Sequence, residues 1–381
     1  MRIGLFSDTY YPRQNGVAIS VYMLAKNLIS MGYDVYVFTT TDPDAPEDEQ
    51  NVTRIPSVAF KTQRLGTYIG PMLHRAVKHL DLDIVHTHTE YTLGRFGKKL
   101  AKRLKIPYIH TMHTIYEYYT NYIVKSERLE PPAKYVVRRL TATVCNSADI
   151  VVTPTEKNKD LLVEYGVNRP IRIIPSGIQL EKFSDDNCDF EKVNAIRTQL
   201  GISEDDKVLI NIGRVAHEKN LDELISGLAD YLHEHNRIKL VIVGDGLAKE
   251  KLEHLTDELK LNDKVIFAGA RPWDDIYLYY RLGDAFVGAS LSETQGLTYI
   301  EAMASGLPVI AKEDRCLDGV LLEGENGFFF NDNEKLITAV DRLLSDDAER
   351  EHFSKHAQVT ANKFSAYTYA REMSAVYKEM I

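Results

Sequence analysis

Cysteine is scarce in this chain: Cys145, Cys188 and Cys316 are three residues in 381. They are far apart, odd in number and without metal-ligand spacing. That excludes a disulfide framework and a thiolate metal site, and fits thiols that pack in a reducing cytoplasm. Long apolar runs are missing too. No stretch approaches the roughly 18 residues that a membrane span needs, so a soluble protein, or one lying on a membrane surface, is expected. The opening MRIGLFSDTYYP holds a short apolar run broken by Asp8, which reads as a first strand and not as a signal peptide. There is no short-period repeat and no low-complexity tract. The G-x-G-x-x-G fingerprint of dinucleotide binding is also absent after the first strand.

At 381 residues the chain is long for one domain, and two of about 150–200 residues each are expected. Its 44% hydrophobic residues suffice for two cores. Formal net charge is −9 but unevenly spread: residues 61–140 hold 15 Lys+Arg against 6 Asp+Glu. A basic block in an acidic chain points to an anionic partner, although a set of solvated helix faces has the same composition.

Both halves alternate short apolar strands with helical periodicity. RIGLFS is followed by apolar residues at helical spacing from Val17 to Met31, then YDVYVFTT, DIVHTH (83–88), PYIHTMH (107–113), DIVVTP (149–154) and IRIIPSG (171–177). The polar segment 178–206 has no strand and one helix around 190–200. A second series follows: KVLINIGR (207–214), KLVIVGDG (239–246), KVIFAGA (264–270), DAFVGAS (284–290) and LPVIA (307–311), with two helices over 348–381. The expected fold class is α/β, with two doubly wound, Rossmann-like domains facing a cleft. The boundaries expected are 1–178, 179–361 and a terminal helix over 362–381.

The chemistry-bearing residues fall at strand ends, where such sheets bind ligands. Gly16 opens the first helix and suits either a tight turn or a phosphate on backbone N–H groups. In GRVAHEKN (213–220), Gly213 precedes Arg214 and Lys219. Two cations across a strand-to-helix turn suit a diphosphate, or are a surface pair. Gly244 in VGDG permits close backbone approach, or a plain turn. His110 and His113 end a strand, as structural residues or as hydrogen-bond partners of a ligand. In SETQGLTYIEAMASGLPVI (292–310), Glu293 and Glu301 flank a helix start at Gln295, Gly296, Leu297 and Thr298. Free N–H groups there suit a phosphate, and the carboxylates suit vicinal hydroxyls. The helical stretch GRFGKKLAKRLK (94–105) puts Phe96, Leu100 and Leu104 on one face, expected to pack on the sheet. Arg95, Lys98, Lys99, Lys102 and Arg103 are then left for anionic headgroups. Segments 60–75 and 118–129, the latter with Tyr118 and Tyr119, mix aromatics and cations as candidate insertion loops, with core packing as the other reading. The D-x-D triplets at 42–44 and 81–83 read as structural.

The ordered set of ETQGLTYIE as E-x₇-E, GRVAHEKN, VGDG and the Gly16 turn resembles the retaining GT-B glycosyltransferases of family four. MRIGLFSDTYYP, VFTTTDPD, RIPSVAF, DIVHTHTEYTLG, IPYIHTMHTIYEYY and SETQGLTYIEAMASGLPVI are most similar to those of the bacterial 1,2-diacylglycerol 3-α-glucosyltransferases. The resemblance implies transfer of glucose from UDP-glucose to diacylglycerol at the inner face of the cell membrane, with retained configuration. It implies Arg214 and Lys219 on the diphosphate, with Gly296, Leu297 and Thr298 N–H groups beside them. Glu293 would hold the sugar, Glu301 the ribose, and His113 the sugar or acceptor near the reacting carbon. No metal or other cofactor is required by this scheme. Anionic lipids are the expected further partner and nucleic acid is not one. A soluble or polysaccharide acceptor, or a non-catalytic nucleotide-sugar-binding protein, are the competing readings.

Overall fold

The computed structural model describes residues 1–46, 49–60, 63–67, 70–122, 124, 126–184 and 188–381. The chain forms two compact units, residues 1–178 with 366–381, and residues 179–365.

The first unit begins with β1 (Arg2–Phe6), α1 (Gly16–Ser30) and β2 (Asp34–Thr40). Then come β3 (Val52–Ile55), β4 (Ser57–Phe60), β5 (Gln63–Gly66), α2 (Gly70–Val77), β6 (Ile84–Thr87) and α3 (Thr92–Leu104). It continues through β7 (Tyr108–Thr111), α4 (Glu130–Cys145), β8 (Ile150–Thr153), α5 (Glu156–Glu164) and β9 (Ile171–Ile173). Seven strands form a parallel sheet in the order β3-β2-β1-β6-β7-β8-β9. Its strands are apolar on both faces, as a sheet covered on both sides must be. Ile3 and Leu5 pack with Val21, Leu24 and Leu28 of α1, while Phe6 packs toward Leu93, Leu100 and Ala101 of α3.

The second unit holds α6 (Leu180–Phe183), α7 (Phe190–Gln199), β10 (Lys207–Ile212), α8 (Leu221–Glu234), β11 (Ile238–Val243), α9 (Lys249–Glu258) and β12 (Val265–Gly269). It ends with α10 (Ile276–Tyr280), β13 (Ala285–Gly288), α11 (Leu297–Ala304), β14 (Val309–Lys312), β15 (Gly327–Phe330), α12 (Asn333–Ser345) and α13 (Asp347–Ala361). The six strands are parallel, ordered β12-β11-β10-β13-β14-β15. The chain then returns to the first unit as α14 (Ala366–Met380), whose Tyr369, Met373 and Tyr377 are buried against α1 and the sheet. In both sheets the strand order reverses beside the first strand, at β1/β6 and at β10/β13. Those reversals open the crevices where doubly wound sheets take ligands.

The structure adds strands that the sequence pattern does not single out. β3 and β15 extend the sheet edges, and β4 and β5 pair as an antiparallel hairpin. Segment 60–75, read as a loop, therefore holds β5 and the start of α2, while residues 61, 62, 68 and 69 lie outside the described residues. Residues 123 and 125 of segment 118–129 do so as well.

Candidate active site

The second unit's crevice is built from the loops after β10 and β13, neighbours in the sheet. Asn220 starts α8 in a left-handed conformation (φ 49°) and its amide donates to the Ala289 carbonyl at 3.1 Å. Asn tolerates that backbone region better than most residues. The Ser290 and Ser292 hydroxyls donate to the Glu218 carbonyl at 3.3 and 3.4 Å. Tied together in this way, the loops bring Lys219 Nζ onto Glu293 Oε1. Arg214 donates to Glu218 Oε1 at 2.5 Å, with the carboxylate side chain buried and the guanidinium half exposed. The two cations of the expected diphosphate site are therefore each held by a carboxylate. Sequence reading passed over Glu218 and Asn220, although both lie inside GRVAHEKN.

α11 begins at Gly296, whose φ of 74° and a Cβ that would stand 2.8 Å from Tyr299 Cδ2 both call for glycine. No side chain caps this helix. The N–H groups of Leu297 and Thr298 have no hydrogen-bond partner among the described residues. Gln295 is buried at the same turn. Glu301 lies one turn further and accepts a hydrogen bond from Tyr280 Oη at 2.8 Å. Burial pushes its carboxyl up to about 7, against the Tyr280 hydrogen bond and the positive charge of Lys182, which lower it. Lys182, itself drawn down to about 8 by burial, stacks 3.2 Å from the centroid of Trp273, the sole tryptophan. Nothing in the periodicity marks Lys182 or Tyr280. Gly244 has a reason within the fold: its φ is 146° and a Cβ there would meet the Gly213 carbonyl oxygen at 1.8 Å. The β10 and β11 loops pack backbone on backbone, so this glycine serves the loop contact whatever it does for a ligand.

In the first unit, Gly16 opens α1 behind Asn15, whose side-chain oxygen accepts from the Ala18 N–H at 3.0 Å. Asp8 accepts from Thr89 Oγ1 at 2.6 Å and from the Thr92 and Leu93 N–H groups, tying the β1 loop to the start of α3. His113 follows β7, half-buried, with His88 behind it.

The face of α3 differs from the expected stripe. Leu93, Gly97, Leu100 and Ala101 are buried, but Leu104 is 43% exposed. Gly97 sets the contact, because a Cβ there would meet Thr87 Cγ2 at 2.6 Å. The helix therefore leans on the sheet through the glycine side and its last turn stands off. Arg95, Lys98, Lys99, Lys102 and Arg103 are exposed. Tyr118 and Tyr119 are half-buried, and Lys157 Nζ sits 5.5 Å from the Tyr118 ring centroid. A larger exposed apolar surface lies on α4, where Tyr135, Val136 and Leu140 are 53–64% exposed beside the exposed Arg139. Their spacing (i, i+1, i+5) lies on one helical face, a signal the sequence offered. Among the described residues no group of three or more His, Cys, Asp or Glu could hold a metal ion. No described helix is long and apolar enough to cross a membrane.

Residues 14–182 match Glycosyltransferase Family 4, and residues 192–360 match Glycosyl transferases group 1. The chain is 38% identical to the alpha-monoglucosyldiacylglycerol synthase of Streptococcus pneumoniae, over 99% of this chain and 86% of that one. It is 33% identical to the enzyme of the same name from Acholeplasma laidlawii, over 100% and 98%. In structure it resembles the sucrose-phosphate synthase of Thermosynechococcus elongatus, with a TM-score of 0.77 at 24% identity over 100% of this chain and 98% of that one. Two Rossmann-like units with this coverage are the GT-B fold of glycosyltransferases. Within that class, the chain belongs to glycosyltransferase family 4 and groups with relatives named for monoglucosyldiacylglycerol synthesis.

Proposed function

We propose that this glycosyltransferase moves glucose from UDP-glucose to the 3-hydroxyl of 1,2-diacylglycerol, with retained anomeric configuration, at the inner surface of the cell membrane. The observation that carries the donor half is the Lys219–Glu293 pair set before the uncapped start of α11. As the C1–oxygen bond to UDP breaks, negative charge grows on the diphosphate. Lys219, Arg214 and the N–H groups of Gly296, Leu297 and Thr298 meet it without reorganising. Glu293 then both orients Lys219 and accepts from sugar hydroxyls. Glu301, steadied by Tyr280, accepts from the ribose. In the reading carried over from the family, His113 touches the sugar or the acceptor, and Gly16, Gly213 and Gly244 let backbone approach the donor.

The acceptor half draws on the names of the 33–38% identical relatives, and on the exposed surfaces of the first unit. The α3 cations suit anionic headgroups at about 1 kcal/mol each near such a surface. The apolar face of α4 suits the acyl boundary. The deciding experiment is product analysis with UDP-glucose and a panel of acceptors in vesicles and in solution. Monoglucosyl-diacylglycerol as the sole product is expected. Transfer to a soluble acceptor alone overturns the lipid reading, and no turnover of UDP-glucose with any acceptor overturns the donor.

A further inference from the structure

Four histidines crowd the C-terminal ends of β6 and β7: His86, His88, His110 and His113. Three are buried, and His113 is the one that reaches the surface. His86 uses both ring nitrogens, Nδ1 with Tyr377 Oη at 2.7 Å and Nε2 with Thr111 Oγ1 at 2.6 Å. His110 Nδ1 meets Thr87 Oγ1 at 2.8 Å. His88 lies tilted at 40° against His86, with ring centroids 4.0 Å apart, and its Nδ1 lies 3.0 Å from His113 Nε2. His88 Nε2 is buried without a hydrogen-bond partner. His113 Nδ1 has none among the described residues.

One proton sits in the His88–His113 bond when both rings are neutral, and burial with neighbouring imidazoles holds both neutral: His113 falls to about 3 and His88 well below its ordinary value. The two possible arrangements differ in cost. If His113 donates from Nε2, then His88 carries its own proton on Nε2, a buried N–H with no acceptor. If His88 donates from Nδ1, its Nε2 keeps only an unused lone pair. Buried donors without partners are the rarer and costlier case. The second arrangement therefore wins, and it leaves the proton of His113 on Nδ1, the nitrogen not committed to the protein.

We propose that His88 is a positioning residue that locks His113 in the Nδ1–H form, so that His113 offers a bound sugar hydroxyl oxygen a hydrogen-bond donor and not a base. This rests on the reading in which His113 touches the sugar. His86, braced by Tyr377 of α14 and by Thr111, backs the His88 ring and fixes its plane. The partner that sets a ring's tautomer is commonly a carboxylate or carbonyl. Here a second imidazole does that work.

The test uses the full chain labelled with ¹⁵N-histidine. Imidazole nitrogen shifts report which nitrogen carries the proton. For wild type, a protonated Nδ1 and a bare Nε2 are expected at His113, and the reverse pattern overturns the proposal. His88→Leu removes the donor, so a mixed tautomer and a kcat about tenfold lower are expected, the scale of one hydrogen bond. KM for UDP-glucose should change less. His88→Asn places an amide N–H near the position of Nδ1 and should restore both the tautomer and the rate. A restored rate with the tautomer still mixed overturns the proposal. Should His88→Leu fail to fold, the wild-type spectrum and His88→Asn still decide. Full activity in His113→Ala overturns the sugar contact, and it does so without touching the tautomer assignment.

Discussion

At the scale of single residues, the pairing of Lys219 with Glu293 is what sequence spacing could not supply. The two are 74 positions apart and meet only because β10 and β13 are sheet neighbours. Lys219→Ala should cut turnover with UDP-glucose by on the order of 10²-fold, the usual cost of one lost transition-state charge partner. Wild-type turnover in that variant would remove Lys219 from the donor site. Glu301 supplies a pH test. Its carboxyl is raised to about 7, so it is ionised above that pH and takes up a proton below it. An ionised carboxylate is the better acceptor for ribose hydroxyls. Calorimetric UDP affinity should therefore fall as pH drops from 8 to 6 through that value. Glu301→Gln should flatten the step and leave only the titrations of the phosphate and of Lys182. Lys182, Asp274 and Asp275 also carry charge near this site, so Lys182→Met should move the midpoint upward, having removed the positive charge that favours the ionised form.

At the scale of elements, helix positions were legible from periodicity, because a buried apolar stripe leaves a 3.6-residue trace in any sequence. Which face turns inward at the last turn was not. Leu104 continues the apolar stripe of α3 yet is 43% exposed, since Gly97 and not the leucines sets the approach to the sheet. The exposed cations on that helix carry a prediction. Reversing Lys98, Lys102 and Arg103 to glutamate should weaken sedimentation with anionic vesicles and lower lipid glucosylation together. UDP affinity should stay unchanged, and so should the little binding to neutral vesicles. Added salt should weaken wild-type binding in the same way, as charges are screened beyond about 8 Å at physiological ionic strength. Undiminished glucosylation by the triple variant would make α3 a solvated face only. At the start of α11, Gly296→Ala meets both a left-handed backbone and the Tyr299 ring. A loss of about 1–2 kcal/mol is expected. That should appear as a fall of about 2–8 °C in Tm for a unit of this size.

At the scale of the whole molecule, each unit has its own sheet and its own reversal of strand order, and α14 ends the chain back in the first unit. UDP should protect residues 179–365 from hydrogen exchange by up to about 2.7 kcal/mol at a hundredfold excess over Kd. Amides of the first-unit sheet should keep their unliganded rates. Equal protection of both sheets would contradict a donor site built from second-unit loops. The alternation of short apolar strands with helical periodicity, and the glycines between them, were enough by themselves to identify two doubly wound sheets, and the ordered motifs ETQGLTYIE, GRVAHEKN and VGDG carried the resemblance to the family. Parallel strands buried on both faces must be apolar throughout, and each strand-to-helix turn needs its own punctuation. The edge strands β3 and β15 escaped that reading, because VTRI is half polar and GFFF starts on a glycine straight after the polar turn EGEN. Tertiary structure alone decided the partners: Lys219 on Glu293, Tyr280 on Glu301, and His88 behind His113. Such contacts depend on which strands become neighbours, and strand order leaves no local mark in the sequence.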